Sequence, residues 1–212
     1  MGIHSFLVGL DLGQKGDYTA IAVVDDWMEE LGGVDPVTFR ARAARRLDVR
    51  HLERVALGTP YPAVVERVCD VMRMPDLQGR CALLVDATGV GAPVVDLLRA
   101  AALDCPLIAV TITGGMHAAR VAGGWSVPKR DLVTGLQVSL DLGELRMPRT
   151  PMGGELVGEL MGMRVKISAS GHEEYGAEGR GAHDDLVLAL GLACWGRRFG
   201  WVGAVRGRLP GF

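Results

Sequence analysis

The sequence has little that would place the chain in a membrane or in a secretory pathway. Of its 212 residues 49% are hydrophobic, yet the apolar runs end well before the roughly 20 residues that a membrane-spanning helix needs. The start of the chain also lacks the basic and long apolar segments of a secretory signal. We therefore expect a cytoplasmic protein with no membrane partner.

Cysteine spacing and net charge are equally uninformative about a partner. The four cysteines occur singly in apolar contexts, without the C-x-x-C spacing of a zinc or redox site, so four buried, reduced thiols are expected. A net charge of −2 gives no general attraction to nucleic acid. Any such binding would need local basic patches.

The first part of the chain predicts three adjacent antiparallel strands. Residues 5–11 and 18–25 are apolar runs separated by the glycine-rich turn LGQKGD, which is typical of a β-hairpin. In VTFRARAARR, residues 37–46, apolar and basic positions alternate with period two, which predicts a third strand. The apolar face of that strand would carry Val37, Phe39, Ala41 and Ala43.

After these strands, helical and strand patterns alternate, which is typical of crossover connections between parallel strands. The segment after GTPYP, APVVDLLRAAA, the segment around Leu132 and GGELVGELMGM predict helices, whereas CALLVDATG and CPLIAVTI predict buried strands. RVKISASGHEEYGAEGRGAHDD predicts a C-terminal β-hairpin before the apolar helix DDLVLALGLACWGRR. The chain is thus predicted to form one α/β domain over residues 1–199, with a mixed sheet and helices on both faces, and a loose tail over residues 200–212.

Four carboxylates border these predicted elements. Asp11 ends the first strand, Asp86 ends the strand LLVD, and Asp184 and Asp185 open the last long helix. That helix is apolar nearly all round, so it must be buried, and its start can pack against the sheet. Clustered carboxylates repel one another and need cations, and Mg²⁺ prefers such hard oxygen ligands. Two such ions about 4 Å apart promote phosphodiester hydrolysis.

Each of these acids also has an ordinary structural explanation. Asp11 could be a turn residue, and Asp86 could shape a strand-to-helix connection. Asp184 and Asp185 could be helix N-caps. It is their joint placement that favours a metal site.

The order of the motifs resembles the C-terminal nuclease domain of the large terminase subunit of tailed phages, which belongs to the ribonuclease H-like superfamily. The matching segments, from about residue 7 to residue 196, are GLDLGQKGDYTAIAVVD, RHLERVALGTPYP, LLVDATGVGAPVVDLL, VPKRDLV with DLGELRMP, and GRGAHDDLVLALGLACW. The resemblance implies a ribonuclease H-like fold and a Mg²⁺- or Mn²⁺-dependent DNA endonuclease, using two ions. Such an enzyme cuts concatemeric viral DNA during genome packaging in the host cytoplasm.

The resemblance also implies roles for the acids. Asp11 is similar to the first-strand ligand of the family, Asp86 to its fourth-strand acid, and Asp184 or Asp185 to its helix-start acid. The register of the buried helix favours Asp185 as the direct ligand. Asp184 would then support that ligand or bind a second ion.

Several basic residues are candidates for contacts with DNA. Lys129 lies near a predicted helix start, where its charge opposes the helix dipole, so a phosphate contact is favoured. His183 precedes the helix-start acids and could contact the scissile phosphate or a metal. Arg40, Arg42 and Arg46, with Arg45, Arg50 and Arg54 nearby, could hold phosphates or merely protect an edge strand.

The chain departs from full-length terminase large subunits in one respect. Those proteins carry a motor ATPase, whereas this chain has no G-x-x-x-x-G-K-[ST] loop. The motor could have been removed from this chain or be encoded separately, or the chain could be a stand-alone relative with another role. The partners implied are double-stranded DNA, a separate packaging ATPase, the small terminase subunit and the portal.

Rival functions stay open at this point. GLDLGQKGDYTAIAVV also resembles the phosphate-binding hairpin of sugar-kinase or actin-like ATPases, although no second copy of the hairpin is present. A Holliday-junction resolvase would have a similar fold and acid layout. A catalytically silent DNA-binding relative is the third alternative.

Overall fold

The computed structural model describes residues 4–13, 16–89, 91–167, 173–177 and 183–199. The strands are β1 (Ser5–Asp11), β2 (Thr19–Val34), β3 (Ala41–Val55), β4 (Cys81–Asp86), β5 (Leu107–Thr113), β6 (Ala119–Val121), β7 (Gly124–Pro128), β8 (Leu145–Arg146), β9 (Met163–Ile167) and β10 (Glu173–Ala177). The helices are α1 (Tyr61–Met72), α2 (Gly91–Ala100), α3 (Lys129–Asp141), α4 (Pro151–Gly162) and α5 (Asp185–Gly196), followed by a 3-10 turn at Arg197–Phe199. Within these ranges, no helix is long and apolar enough to cross a bilayer.

Eight strands form one mixed sheet, in the order β6-β7-β5-β4-β1-β2-β3-β8. β1, β2 and β3 pair antiparallel, whereas β4 joins β1 in parallel and is followed by the parallel strands β5 and β7. β9 and β10 form the separate C-terminal hairpin. The predicted ribonuclease H-like mixed sheet, three antiparallel strands followed by parallel ones, is confirmed. The predicted tail over residues 200–212 lies outside the described residues.

Helices cover both faces of the sheet, as predicted. Along β1, Phe6, Val8 and Leu10 belong to an apolar cluster with the buried residues of α1 and α2. Leu7, between them, belongs to the opposite cluster with α5. Because successive side chains of a strand point to opposite faces, residues of β1 with odd numbers face α5.

The helix α5 lies directly against β1 at Gly9. A Cβ atom built on Gly9 would lie 1.9 Å from the carbonyl oxygen of Ala189 and 2.8 Å from the amide nitrogen of Ala193. All twelve residues of α5 are buried, and this side of the helix is formed by small residues. The absence of a side chain at Gly9 therefore sets the distance between the helix and the central strand.

Two strands are longer than predicted. β2 continues to Val34 and β3 runs from Ala41 to Val55, so the sequence RHLERV belongs to β3. Because β2 continues, its Asp25 and Asp26 are buried ion-pair partners of His4 and Arg45 within the strand and do not mark its end.

The predicted apolar face of the third strand is wrong at Val37 and Phe39. Both side chains precede β3 and are more than four-fifths exposed. The carboxylate of Asp35 accepts hydrogen bonds from the amide nitrogens of Val37 and Thr38, and this turn replaces the expected extended chain. Arg40 likewise lies in the turn rather than in a strand. The short strands β6, β7 and β8 were not predicted, because each is too short or too rich in glycine to show a period.

We expect Gly9→Ala to destabilise the protein strongly. The added methyl group would overlap the backbone of α5, so helix and strand must separate, at a cost of about 3 kcal/mol. Urea unfolding of both variants measures it against Gly158→Ala, which fills open space on the exposed side of α4 and should be neutral or stabilising. Equal stability of the two variants would contradict the proposed close contact.

Candidate metal centre

Four carboxylates from three chain segments meet at one edge of the sheet. β1 and β4 are parallel neighbours, with Leu10 opposite Val85, so Asp11 and Asp86 leave the sheet side by side. Both side chains point to the face that carries α5, whose start lies above them. The result is an open cleft of about 250 Å³. It is lined by Asp11, Leu12, Gly13, Asp17, Asp86, Thr88, Gly89, His183, Asp184, Asp185 and Leu188.

The folded protein disfavours ionisation of both Asp11 and Asp86. Burial raises the pKa of Asp11 well above its usual value, and the charges of Asp86, Asp184 and Asp185 raise it further, while Lys129 opposes them. Burial also raises the pKa of Asp86, although hydrogen bonds from Thr88 and with Asp11 act against the rise. Both carboxyl groups therefore resist ionisation in the folded protein.

Thr88 fixes the orientation of Asp86. Its amide nitrogen and its hydroxyl both donate to Oδ1 of Asp86, at 2.8 and 2.5 Å. The same hydroxyl oxygen accepts the amide of Ile112 at 2.9 Å, which ties the loop to β5. Since these bonds occupy one carboxylate oxygen, Oδ2 is the atom left for the cleft.

The two acids at the start of α5 are each paired with a cation. Lys129 Nζ donates to Oδ2 of Asp184 at 2.7 Å, and Arg54 Nε donates to Oδ2 of Asp185 at 2.7 Å. Asp185 is 4% exposed, so it is the more deeply held of the two. Asp184 occupies the N-cap position of α5 without a side-chain capping bond, and its carboxylate is thus engaged by Lys129 instead.

Arg54 is the central residue that sequence reasoning missed, since it was noted only as a neighbour of the basic strand. It lies opposite Ala20, which lies opposite Asp11, so a row across three strands leads from Arg54 to the cleft. Its guanidinium also donates to Glu155 and to Glu159 of α4. One cation thus holds three carboxylates.

Glu159 connects this arginine to the start of α5. It is 8% exposed, and its Oε2 accepts the amide of Val187 at 3.0 Å, one of the free donors of the first helical turn. Burial raises its pKa. A signal was present in the sequence, because Glu159 lies three positions after Leu156 and therefore in the apolar stripe of α4.

His183 lies at the cleft, as predicted. Its Nδ1 is 3.6 Å from Oδ1 of Asp185, and its ring contacts the ring of Tyr18 edge-on at 5.3 Å. Tyr18 in turn lies under the guanidinium of Arg54. These contacts place His183 on the wall of the cleft beside Asp185.

The basic residues predicted on the third strand are not at the cleft. Arg46 lies opposite Trp27, seven positions along β2 from Ala20, which is about 20 Å at the rise of a strand. Arg46 Nε is bound to Glu29 at 2.6 Å. Arg40 and Arg42 are exposed still farther out. A role for these three residues in binding DNA stays a prediction.

The donor set fits a hard divalent cation, although the carboxylates are not yet gathered around one. Within the described residues, no group of three acidic, histidine or cysteine side chains is already close enough to form a metal site. Asp185 and Asp184 are instead engaged in ion pairs with Arg54 and Lys129. The excess negative charge at buried Asp11, together with oxygen ligands from three segments, is nevertheless what Mg²⁺ or Mn²⁺ prefers.

Solved structures with this arrangement of elements are large terminase nucleases. The large terminase nuclease of thermophilic phage G20c superposes with a TM-score of 0.59 at 22% sequence identity, over 90% of this chain and 81% of that one. Its structure with bound magnesium gives 0.60 at 23%, over 91% and 81%. The chain has the fold of a large terminase nuclease. The nuclease domain of the bacteriophage SPP1 large terminase, with bound Mn, matches at 0.52 and 12%, over 92% and 88%.

The likeness to these solved structures has no counterpart among sequence families. No protein-family model and no curated protein matches the sequence. At such low identity a common fold does not assign a function, so the roles of the acids must be argued from their own contacts.

We expect Arg54→Ala to cost about 3 kcal/mol of unfolding free energy, because it leaves the buried carboxylates of Asp185 and Glu159 without a cation. Arg54→Lys should recover only part of the loss, since one ammonium group cannot replace the forked guanidinium. Urea unfolding provides the measurement. The control is Arg73→Ala, which breaks an exposed pair with Asp70 and should cost less than about 1 kcal/mol. Similar losses for Arg54→Ala and Arg73→Ala would refute the inference that Arg54 stabilises these buried carboxylates.

Proposed function

We propose that this chain is a divalent-metal-dependent DNA endonuclease of the terminase type, which hydrolyses phosphodiester bonds with two metal ions. The observation that carries the proposal is the meeting of Asp11, Asp86, Asp184 and Asp185 in one open cleft. The terminase nuclease fold adds support, and related structures have been solved with magnesium, cobalt and Mn. The biological role that follows is the cutting of concatemeric viral DNA during packaging.

In this proposal each of the four acids has its own role in metal binding. Asp11, which is buried, and Asp86, which Thr88 orients, would hold the ions from the sheet. Asp185 would be a ligand from the start of α5, and Asp184 would support it or hold the second ion. When bound, the ions supply Lewis-acid activation of water and stabilise the charge that develops on the phosphate.

Lys129 is the cation best placed to meet a DNA phosphate. It is the first residue of α3, its side chain is a quarter exposed, and a single carboxylate, that of Asp184, is its ion-pair partner in the cleft. A phosphate entering the cleft brings the negative charge that would replace this contact. Because such contacts do not read bases, the enzyme should cut without strong sequence preference and bind more weakly as salt rises.

The proposed partners follow from the setting of related proteins. The HK97 large terminase matches 90% of this chain, but that match covers 39% of the HK97 chain, so the related protein is much longer. We propose that a packaging ATPase acts with this nuclease, together with a small terminase subunit and a portal. Double-stranded DNA is the proposed substrate.

Asp86→Ala should abolish cutting of supercoiled plasmid in Mn²⁺. We expect a loss of more than about 100-fold, because removal of a group that merely supports a metal ligand already costs about 10- to 100-fold. Agarose-gel assays of nicked and linear product measure it. The matched control is Asp96→Ala, which removes an exposed acid of α2 whose ion-pair partner is Arg99 at the surface. If Asp86→Ala still cuts DNA, the assignment of Asp86 to the metal site is wrong. ATP hydrolysis by the unmodified protein would instead favour the sugar-kinase or actin-like alternative.

Asp11→Asn should distinguish two effects of the Asp11 carboxylate. These are its destabilisation of the metal-free fold and its contribution to metal binding. Since the pKa of Asp11 is raised in the folded protein, its ionisation destabilises the metal-free fold as pH rises above the ordinary value of 3.8. In EDTA at pH 8 the variant should therefore unfold at a higher temperature than the unmodified protein, and the difference should shrink toward acidic pH.

The same variant should lose the response to metal. Mn²⁺ at about 100 times its Kd should stabilise the unmodified protein by about 2.7 kcal/mol, and Asp11→Asn by much less. Thermal unfolding with and without Mn²⁺ measures both effects, with Asp96→Asn as the control. An equal metal response in all three proteins would show that Asp11 binds no ion.

A further inference from the structure

Two cysteines that are far apart in the sequence lie together at the other end of β4 from Asp86. Cys81 is the first residue of β4, and Cys105 lies two positions before the start of β5. The parallel register of β4 and β5 begins with Leu83 opposite Leu107, and Cys81 and Cys105 each lie two positions before this pair in the sequence. The amide of Leu83 donates to the carbonyl of Pro106 at 2.9 Å, so the strands are already in register beside the cysteines.

The spacing of parallel strands suits a disulfide. Neighbouring strands lie about 4.8 Å apart, and Cα atoms joined by a disulfide are about 4.4 to 6.8 Å apart. Cys81 belongs to a buried apolar cluster against which Cys105 packs, and both cysteines line one cleft of about 430 Å³ at the surface. Neither is in a disulfide in the structure.

Their immediate surroundings distinguish the two thiols. Cys81 is 7% exposed, whereas Cys105 is partly exposed at the cleft. The interaction between the two neighbouring thiols lowers the pKa of Cys81 and raises that of Cys105. The pair thus contains one sulfur with increased thiolate character next to one that solvent can reach. Cys69 and Cys194 are buried, and burial raises the pKa of Cys194 to about 12.

We propose that Cys81 and Cys105 form a reversible oxidation site, in which a low-molecular-weight disulfide converts the two thiols to one intramolecular disulfide between β4 and β5. A thiolate of the pair attacks a sulfur of the reagent and releases one reagent thiolate. The second protein thiolate then attacks the mixed disulfide and releases the other. Two electrons pass to the reagent, which is reduced to two thiols, and the two protein thiol protons leave to solvent or to those products.

The test is to treat the reduced, folded protein with 2-hydroxyethyl disulfide and follow its intact mass. We expect the loss of two hydrogen masses per chain, reversed by dithiothreitol, and a single cross-linked peptide pair containing Cys81 and Cys105. Cys69→Ser with Cys194→Ser should behave identically. Cys105→Ser should not lose the two hydrogens. Circular dichroism confirms that each variant is folded.

Other outcomes would overturn the proposal. They are a cross-link that involves Cys69 or Cys194, stable reagent adducts on both Cys81 and Cys105 with no bond between them, or dimers joined through these cysteines. A folded protein that stays fully reduced, under conditions in which the urea-denatured chain is oxidised, would also reject it. Because the readout is mass, the result is independent of nuclease activity.

Discussion

The close contact between α5 and β1 at Gly9 determines the rest of the site. The carbonyl oxygen of Ala189 lies where a side chain of Gly9 would begin, so the helix is fixed at backbone distance from the central strand. Two residues farther along β1, on the same face, is Asp11, and one turn before Ala189 is Asp185. A packing requirement of the core therefore brings an acid of the last helix to an acid of the first strand.

That packing brings negatively charged side chains together, and the protein's own cations neutralise only some of them. The cleft collects four carboxylates, and Arg54 and Lys129 each neutralise one of them. Within the part of the chain that the structure describes, no cation forms an ion pair with Asp11, and burial and the neighbouring acids raise its pKa. The proposed metal ion would relieve repulsion that the protein's own side chains leave in place.

How far the sequence could predict this structure depends on the kind of information each feature needs. Asp11, Asp86 and Asp185 were predictable, since each ends or starts a strongly apolar element whose place in the fold was clear. Arg54 was not, because its position opposite Ala20 depends on the register of β2 and β3, which shifts at an irregularity between Val23 and Val24. A shift of one residue turns every later side chain to the other face. The pairing of Cys81 with Cys105 is likewise a matter of register, invisible in their separate contexts.

Arg54 and Lys129, the two cations of the cleft, differ in the number of carboxylates that bind them. Arg54 is bound by three carboxylates on two helices, so its charge is more than neutralised and its removal would leave these carboxylates without their shared guanidinium. Lys129 forms its described ion pair with Asp184, and both side chains are a quarter exposed. An incoming phosphate would therefore gain little from Arg54, whose donors are already occupied, and more from Lys129. If the proposed function holds, the side of the cleft near β3 would keep Asp185 in place, and the side near α3 would receive the substrate phosphate.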